Sequence, residues 1–315
     1  MTPTVLVYDP IIEIPWDYEV ERDLLSRAGV RLVVPENDVV RDAALVEADV
    51  VVVCSGMPDD VLGRLPRCVG IVCYGVGMNA VSSAAAAAAG VPVTNVPGFC
   101  TEEVATHALA LILALNRSLP SFAAAGRAGT WDLTSIQGFG ELRRLSTLRV
   151  GVVGMGRIGS AVAAACVALG CVVVGHDPNI TSSPVPSADL VGWEELLATS
   201  DMLVLCASLS TGEGPILDAA AFEAMRHGAS IVNVARGGLV DEGALSEALS
   251  SGRLAGAALD VRATEPPPYD DAITKLPNVI LTPHMAAISQ QSDAELHGGA
   301  AGRILELLRR SGRLS

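Results

Sequence analysis

Short apolar runs alternate with helical spacing along the first hundred residues. Residues 5–8, 31–34, 50–53, 69–72 and 91–94 are short, mostly apolar runs, the pattern of buried strands. Residues 17–28 and 41–48 carry apolar positions at helical spacing, and the alanine-dense stretch 79–89 predicts a helix ending at Gly90. A long helix is expected over 101–116, closed by Pro120 and the glycines at 126 and 129. Periodicity then weakens to about residue 148, which reads as an arm or extended connection. The pattern restarts with strands at 149–153, 171–174, 202–206, 230–234, 256–261 and 279–281, and the chain closes with a helix over 286–310. Repeated strand–helix alternation predicts an α/β fold of two doubly wound parallel sheets. Two long helices at the junctions predict a discontinuous first domain, residues 1–100 plus 285–315. The second, residues 101–284, is inserted into it.

Composition fits this picture. Of 315 residues, 50% are hydrophobic and only 3% aromatic, so the apolar mass is mostly Ala, Val and Leu, as parallel sheets under helices require. The formal charge of 21 − 35 = −14 argues against nucleic acid, whose phosphates reward clustered Lys and Arg. The cysteines at 54, 68, 73, 100, 166, 171 and 206 form no CxxC and are odd in number. They read as buried, reduced thiols of a cytoplasmic protein, and no Cys/His cluster suggests a metal. No basic segment precedes an apolar stretch at the N-terminus, so no signal peptide is expected. The uncharged runs 69–101 and 158–175 are broken by Gly and other polar or turn residues, so they read as buried helix-plus-strand units rather than membrane spans.

The candidate chemistry lies in the second half. An apolar strand ends at Gly154-Met155-Gly156-Arg157-Ile158-Gly159, a helix follows without a break, and a further strand leads to Asp177. Gly154 permits the tight turn, Gly156 lets backbone approach a pyrophosphate, and Gly159 lets the helix pack on the strand. The helix N-terminus offers N–H groups and positive polarity to phosphates, and Asp177 stands where an acid accepts ribose hydroxyls. Its charge disfavours a 2′-phosphate, so the cofactor expected is NAD. Further on, Arg236 follows a strand within Asn233-Val234-Ala235-Arg236-Gly237-Gly238, where its guanidinium could grip a carboxylate through two hydrogen bonds. Glu265 follows Asp260-Val261 and precedes three prolines, and His284 follows Thr282-Pro283. A histidine beside a carboxylate is oriented and kept protonated, ready to give a proton to a carbonyl oxygen as hydride arrives.

These segments resemble the D-isomer-specific 2-hydroxyacid dehydrogenases, over nearly the whole chain. The stretches 74–79 and 93–98 resemble the family's substrate-domain motifs. Glu265-Pro266-Pro267-Pro268 and residues 276–281 suggest the branch around C-terminal-binding-protein-like dehydrogenases. The resemblance implies a flavodoxin-like substrate domain and an inserted Rossmann domain. It implies Arg236 on the substrate carboxylate, His284 as acid/base and Glu265 as its partner. Tyr74, Gly75, Val76 and Gly77 would complete the substrate site with Arg236 and His284. NAD would be met by Gly154, Gly156, Arg157, Ile158, Gly159, Asp177, Cys206, Val234, Ala235, Arg236, Asp260, His284 and Ala287, with Asp260 near the nicotinamide amide. The partner is a small 2-keto or 2-hydroxy acid, without nucleic acid or membrane, and the family implies a homodimer formed largely by cofactor domains.

Four positions depart from the family pattern. Asn79 stands where aspartate is usual, Thr106 where an acid is common, Arg262 in place of an aromatic or aliphatic residue, and Ala287 where the branch often has tryptophan. Arg262 reads as an exposed surface position. Ala287 predicts room for bulky or doubly anionic acids. Two other readings of the scaffold are a nucleotide-sensing, corepressor-like binding protein and a dehydrogenase of formate or phosphite type.

Overall fold

The computed structural model describes residues 2–9, 18–132, 134, 142–208 and 214–315. They form two compact units, Met1–Phe99 with Ile288–Ser315, and Cys100–Ala287. The first contains β1 (Thr4–Val7), α1 (Glu19–Arg27), β2 (Arg31–Val33), α2 (Asp38–Leu45), β3 (Val50–Val53), β4 (Gly70–Cys73), α3 (Ser83–Ala89) and β5 (Val93–Asn95). Its sheet is parallel throughout, in the order β2-β1-β3-β4-β5. The central β1, β3 and β4 are wholly buried, whereas edge strands β2 and β5 are only partly covered. Helices on both faces explain the uninterrupted valines of β3.

The second unit runs α4 (Thr101–Asn116), α5 (Leu119–Arg127), β6 (Arg149–Val153), α6 (Arg157–Ala168), β7 (Val172–His176), β8 (Ala188–Leu190) and α7 (Trp193–Thr199). It continues with β9 (Met202–Leu205), α8 (Ala219–Ala224), β10 (Ala229–Asn233), α9 (Glu242–Ser250), β11 (Leu254–Leu259) and β12 (Val279–Leu281). The order is β12-β11-β10-β9-β6-β7-β8. All strands are parallel, and the order in which they are added reverses between β6 and β9; ligands bind at such a switch point in open α/β sheets. Phe222, Leu203, Leu205 and Ile231 are buried in its core. Each such side chain contributes roughly 1.5–3 kcal/mol by leaving water. The chain then returns to the first unit as α10 (Gln290–Arg310), whose Leu296, Ala300, Ile304 and Leu308 pack against Val5, Val52 and Val72.

Several boundaries differ from the sequence reading for local reasons. α3 begins at Ser83, not 79, because the Ser82 hydroxyl accepts the Ala85 N–H, and Gly90 at φ +68° ends it as expected. α10 begins at Gln290, not 286, because Ser289 and Ser292 form a reciprocal capping box. Pro120 stands in the first turn of a separate helix, α5, where its missing N–H has no cost, rather than simply closing α4. The short edge strand β8 has no apolar run to announce it. Of the proposed arm, residues 133 and 135–141 lie outside the described residues, as do 10–17, of which residue 17 opens the first expected helix. Among the described residues no single helix is long and apolar enough to cross a membrane; α4 and α5 pass that test only together, bent by 65°.

One buried polar group ties the first unit together. Glu21 of α1 is fully buried and accepts hydrogen bonds from the Tyr74 hydroxyl and from His297 Nδ1 of α10. Asp293 lies 3.3 Å from His297 Nε2, and the Tyr18 and Tyr74 rings meet the imidazole edge-on at 5.9 and 5.8 Å. Burial pulls the His297 pKa down, but the bond and charge of Glu21, aided by Asp293, hold it above the ordinary 6.5. The pair's stabilisation is therefore full below about pH 6.5 and is lost as pH rises through the raised value. Amide-exchange protection of α1 and α10 is expected to fall from about pH 6 to pH 9. His297→Leu, which leaves Glu21 buried without its cation, should cost about 3–5 kcal/mol. Protection factors that stay level across that range would contradict this account.

Candidate active site

The glycine turn follows β6 at the switch point. Gly154 adopts φ +85°, and a Cβ there would lie 2.7 Å from the Ala207 Cα. Gly159, in the first turn of α6, has no room for a side chain because its Cβ would overlap the Gly154 carbonyl oxygen. Gly156 faces open space and begins α6 without a side-chain cap. The helix thus opens with N–H groups that a bound anion can accept. Arg157 is exposed beside it and Ile158 half-buried. Asp177, just beyond β7, accepts the Met155 N–H at 3.0 Å and the Asn179 N–H at 2.9 Å, which draws its carboxylate against the turn. Backbone cradle, helix end and acid all fit a dinucleotide.

Arg236, Glu265 and His284 leave the sheet from adjacent strands and line one open hollow of about 240 Å³ within the second unit, with Gly237 and Arg262. Asn233 shapes the first loop: its amide donates to the Arg236 carbonyl at 2.9 Å and accepts the Ala235 N–H at 3.0 Å. Val234 and Ala235 are buried, so they offer only backbone to a ligand. Arg236 Nη1 donates to the Ala235 carbonyl at 2.6 Å; burial pulls its pKa down, against the charge of Glu265. Gly237 is required because a Cβ would overlap the Arg262 backbone.

Glu265 Oε2 stands 2.6 Å from His284 Nδ1, and its Oε1 accepts the Arg262 N–H at 2.7 Å. That pairing engages Nδ1 and leaves Nε2 to exchange a proton. The hydrogen bond that His284 Nδ1 donates to Glu265 raises the His284 pKa, burial opposes it, and the charges of Glu265 and Asp260 act against the opposing Arg236. Burial pulls Glu265 up, but its bonds to His284 and the Arg262 N–H hold it below the ordinary carboxylate value. His284 itself adopts φ +50°, a strained region for a non-glycine residue.

Asp260 secures that conformation. Its side chain is 1% exposed, its carbonyl accepts the His284 N–H at 2.8 Å, and its carboxylate accepts from Met285 N, Ala286 N and the Thr282 hydroxyl. His107 of α4 joins at 3.1 Å from the Thr282 hydroxyl. Sequence reasoning places Asp260 near a nicotinamide and misses this anchoring task, as it misses His107 and Thr282. No local pattern marks residues that meet across 175 positions.

Cys206 adjoins the glycine turn, and burial pushes its thiol up to about 12. Ala287 is half-buried at the end of the second unit. In the first unit, the Tyr74 hydroxyl is committed to Glu21, Gly75 adopts φ +140°, and the Val76 carbonyl accepts from the Asn95 amide at 2.5 Å. Arg262 corrects the sequence reading. It is buried, not exposed, and two carboxylates, Glu242 and Asp271, neutralise it, so it adds no positive field for a substrate.

Comparison with known proteins bears on this geometry. Residues 109–286 match the family model described as D-isomer specific 2-hydroxyacid dehydrogenase, NAD binding domain. The chain belongs to the D-isomer specific 2-hydroxyacid dehydrogenase family. It is 36% identical to the D-3-phosphoglycerate dehydrogenase of Archaeoglobus fulgidus, across 91% of this chain and 54% of that protein. The enzyme of the same name from Mycobacterium tuberculosis is 36% identical across 97% of this chain and 54% of its own. The chain thus spans about half the length of these curated relatives. Among solved structures, the TT0316 protein from Thermus thermophilus aligns with TM-score 0.83 and 32% identity, covering 98% of this chain and 97% of that one. A D-lactate dehydrogenase from Aquifex aeolicus, complexed with NAD and lactic acid, aligns with TM-score 0.85 and 25% identity over 98% and 96%. None of these four is named as a C-terminal-binding protein, the finer branch that residues 265–268 suggest.

In this family member, the NAD-binding domain lies in the second unit, and its glycine turn has no room for a Cβ at Gly159. Gly159→Val should lower NADH affinity at least tenfold and destabilise the second unit, since overpacking typically costs about 1–3 kcal/mol. Fluorescence titration with NADH, alongside thermal unfolding, checks both. A variant with unchanged affinity would show that the turn does not meet the cofactor.

Proposed function

We propose that this protein is an NAD-dependent oxidoreductase interconverting a 2-keto acid and a D-2-hydroxy acid. The observation that carries the reading is the 2.6 Å pairing of His284 Nδ1 with Glu265, beside the half-buried Arg236 in the same hollow. NAD, when bound, supplies or accepts the hydride. Arg236 holds the substrate carboxylate through its planar fork and polarises the adjoining carbonyl. His284 Nε2 gives a proton to the carbonyl oxygen during reduction and takes it back during oxidation. Glu265 orients the ring and stabilises its protonated form, while Asp260 fixes the loop that presents it. For the first unit, the proposed substrate contact is the backbone of Gly75, Val76 and Gly77. Asp177 favours NAD over NADP because it repels a 2′-phosphate. The protein is proposed to work in the cytoplasm as a homodimer: α5 buries none of its residues, and Leu119 and Trp131 are exposed.

For substrate, we propose a bulky or doubly anionic acid, since Ala287 leaves the position after Ala286 small. The relatives named for D-3-phosphoglycerate agree, because that molecule is a 2-hydroxy acid carrying a phosphate. With Arg262 neutralised, its second charge must be met elsewhere. A turnover panel with NADH and pyruvate, glyoxylate, 2-ketoglutarate and 3-phosphohydroxypyruvate, and with NAD and formate or phosphite, tests the proposal. The larger acids with a second anionic group should be preferred. NADH binding without turnover of any acid would favour a nucleotide-sensing protein instead.

Two variants test the proton chemistry. His284→Ala should lower kcat roughly 10²- to 10⁴-fold while NADH affinity is retained. Glu265→Gln removes the charge that raises the His284 pKa, so the imidazole loses its proton at lower pH. Reduction needs the protonated ring, and its pH profile should therefore move toward lower pH. An unmoved profile would mean that the two side chains are not coupled in turnover.

A further inference from the structure

Arg262 is a buried cation at the mouth of the hollow that holds Arg236, Glu265 and His284, and its surroundings assign it a task. The side chain is only 5% exposed. Nε and Nη2 donate to the two oxygens of Glu242 at 2.8 and 3.0 Å, and Nη2 also donates to Asp271 at 3.0 Å. Glu242 Oε1 additionally accepts the Ala263 N–H at 2.8 Å. Arg262's own backbone N–H donates to Glu265 Oε1 at 2.7 Å. On the other side, Asp241 caps α9 at Ala244, and Glu242 is the first residue of that helix, which follows directly from the Arg236 loop. Gly237 of that loop touches the Arg262 backbone so closely that no Cβ fits between them.

We propose that Arg262 is a positioning residue, an ionic latch that fastens the Glu265 loop to the start of α9 and so fixes Glu265 against His284 and both against Arg236. The latch rests on the acid/base reading of His284 and Glu265 given above. Its geometry favours arginine specifically. A planar fork can engage both Glu242 oxygens while reaching Asp271, whereas an ammonium is a single point of charge. With the latch present, the turn from Arg262 to Glu265 has two fixed ends, the guanidinium in its carboxylate pair and the Glu265 oxygen on the N–H. Without the guanidinium, Glu242 and Asp271 repel each other, and the turn loses its side-chain anchor.

The imidazole of His284 reports on this directly, because its Nδ1 lies 2.6 Å from the Glu265 carboxylate that the latch positions, and the bond and charge of that carboxylate raise its pKa. In the unliganded protein, its titration midpoint is read by NMR, with the resonance assigned through His284→Gln. Glu265→Gln sets the full downward shift that follows when the partner charge is lost. Arg262→Met is expected to give at least half of that shift and to lower kcat roughly 10- to 100-fold, as a misplacement of about 1 Å does. KM should change less than kcat. Arg262→Lys, which keeps a charge in the site, should fall between the unmodified protein and Arg262→Met. It also serves where Arg262→Met fails to fold. Should Glu265→Gln move the midpoint while Arg262→Met, or Arg262→Lys where Arg262→Met does not fold, leaves it in place, the latch is overturned and the acid/base reading stands. A midpoint that Glu265→Gln itself does not move overturns the acid/base reading, and the latch with it.

Discussion

The candidate site depends on the register of three adjacent parallel strands. Asn233 of β10 pairs with Leu259 of β11, and Leu259 pairs with Leu281 of β12. Backbone bonds extend this level past the strand ends, with Asp260 N–H on the Asn233 carbonyl at 2.9 Å and Thr282 N–H on the Leu259 carbonyl at 3.1 Å. Arg236, Glu265 and His284 follow within a few residues, so the sheet itself delivers an arginine, a carboxylate and an imidazole to one edge. A one-residue slip would reverse the facing of every side chain in the slipped strand and scatter the three groups. The apolar cores under the sheet therefore protect the chemistry indirectly, by holding the register.

On that platform, electrostatics decide how each group behaves. Asp260 is buried and bonded to the backbone of His284, Met285 and Ala286, where His284 adopts a φ of +50°. Glu265 receives a backbone N–H on one oxygen and the imidazole on the other, which explains why it stays ionised despite partial burial. Arg236 Nη1 donates to the Ala235 carbonyl, and its guanidinium lines the hollow. Arg262, by contrast, is consumed by its two carboxylates. Two arginines near one hollow thus have opposite tasks, and only their partners distinguish them.

Much of this is legible in the chain. Uninterrupted valines announce the buried parallel strands, and the spacing from Gly154 to Gly159, then to Asp177, announces the turn at the switch point. Strand ends mark Arg236 and His284, because ligands gather where parallel strands finish. What stays hidden is set by partners far away in sequence. Arg262 reads as exposed because arginine usually is, while Glu242 and Asp271 reach it from outside its own stretch and bury it. The Glu21–His297 pair joins residues 276 apart, and no periodicity records such a pairing. Helix starts move by several residues where a serine cap, at Ser82 or Ser289, overrides apolar spacing.

The central claim is that Arg236 takes the substrate carboxylate while the Glu265-paired His284 presents Nε2 to the reacting oxygen. A crystal structure with NADH and oxamate, an unreactive 2-keto acid analogue, tests it most directly. The account predicts the oxamate carboxylate on the Arg236 guanidinium and its carbonyl oxygen within about 3.2 Å of His284 Nε2. His284 Nδ1 should remain on Glu265. Oxamate bound away from Arg236, or a ring turned so that Nε2 meets Glu265, would contradict it.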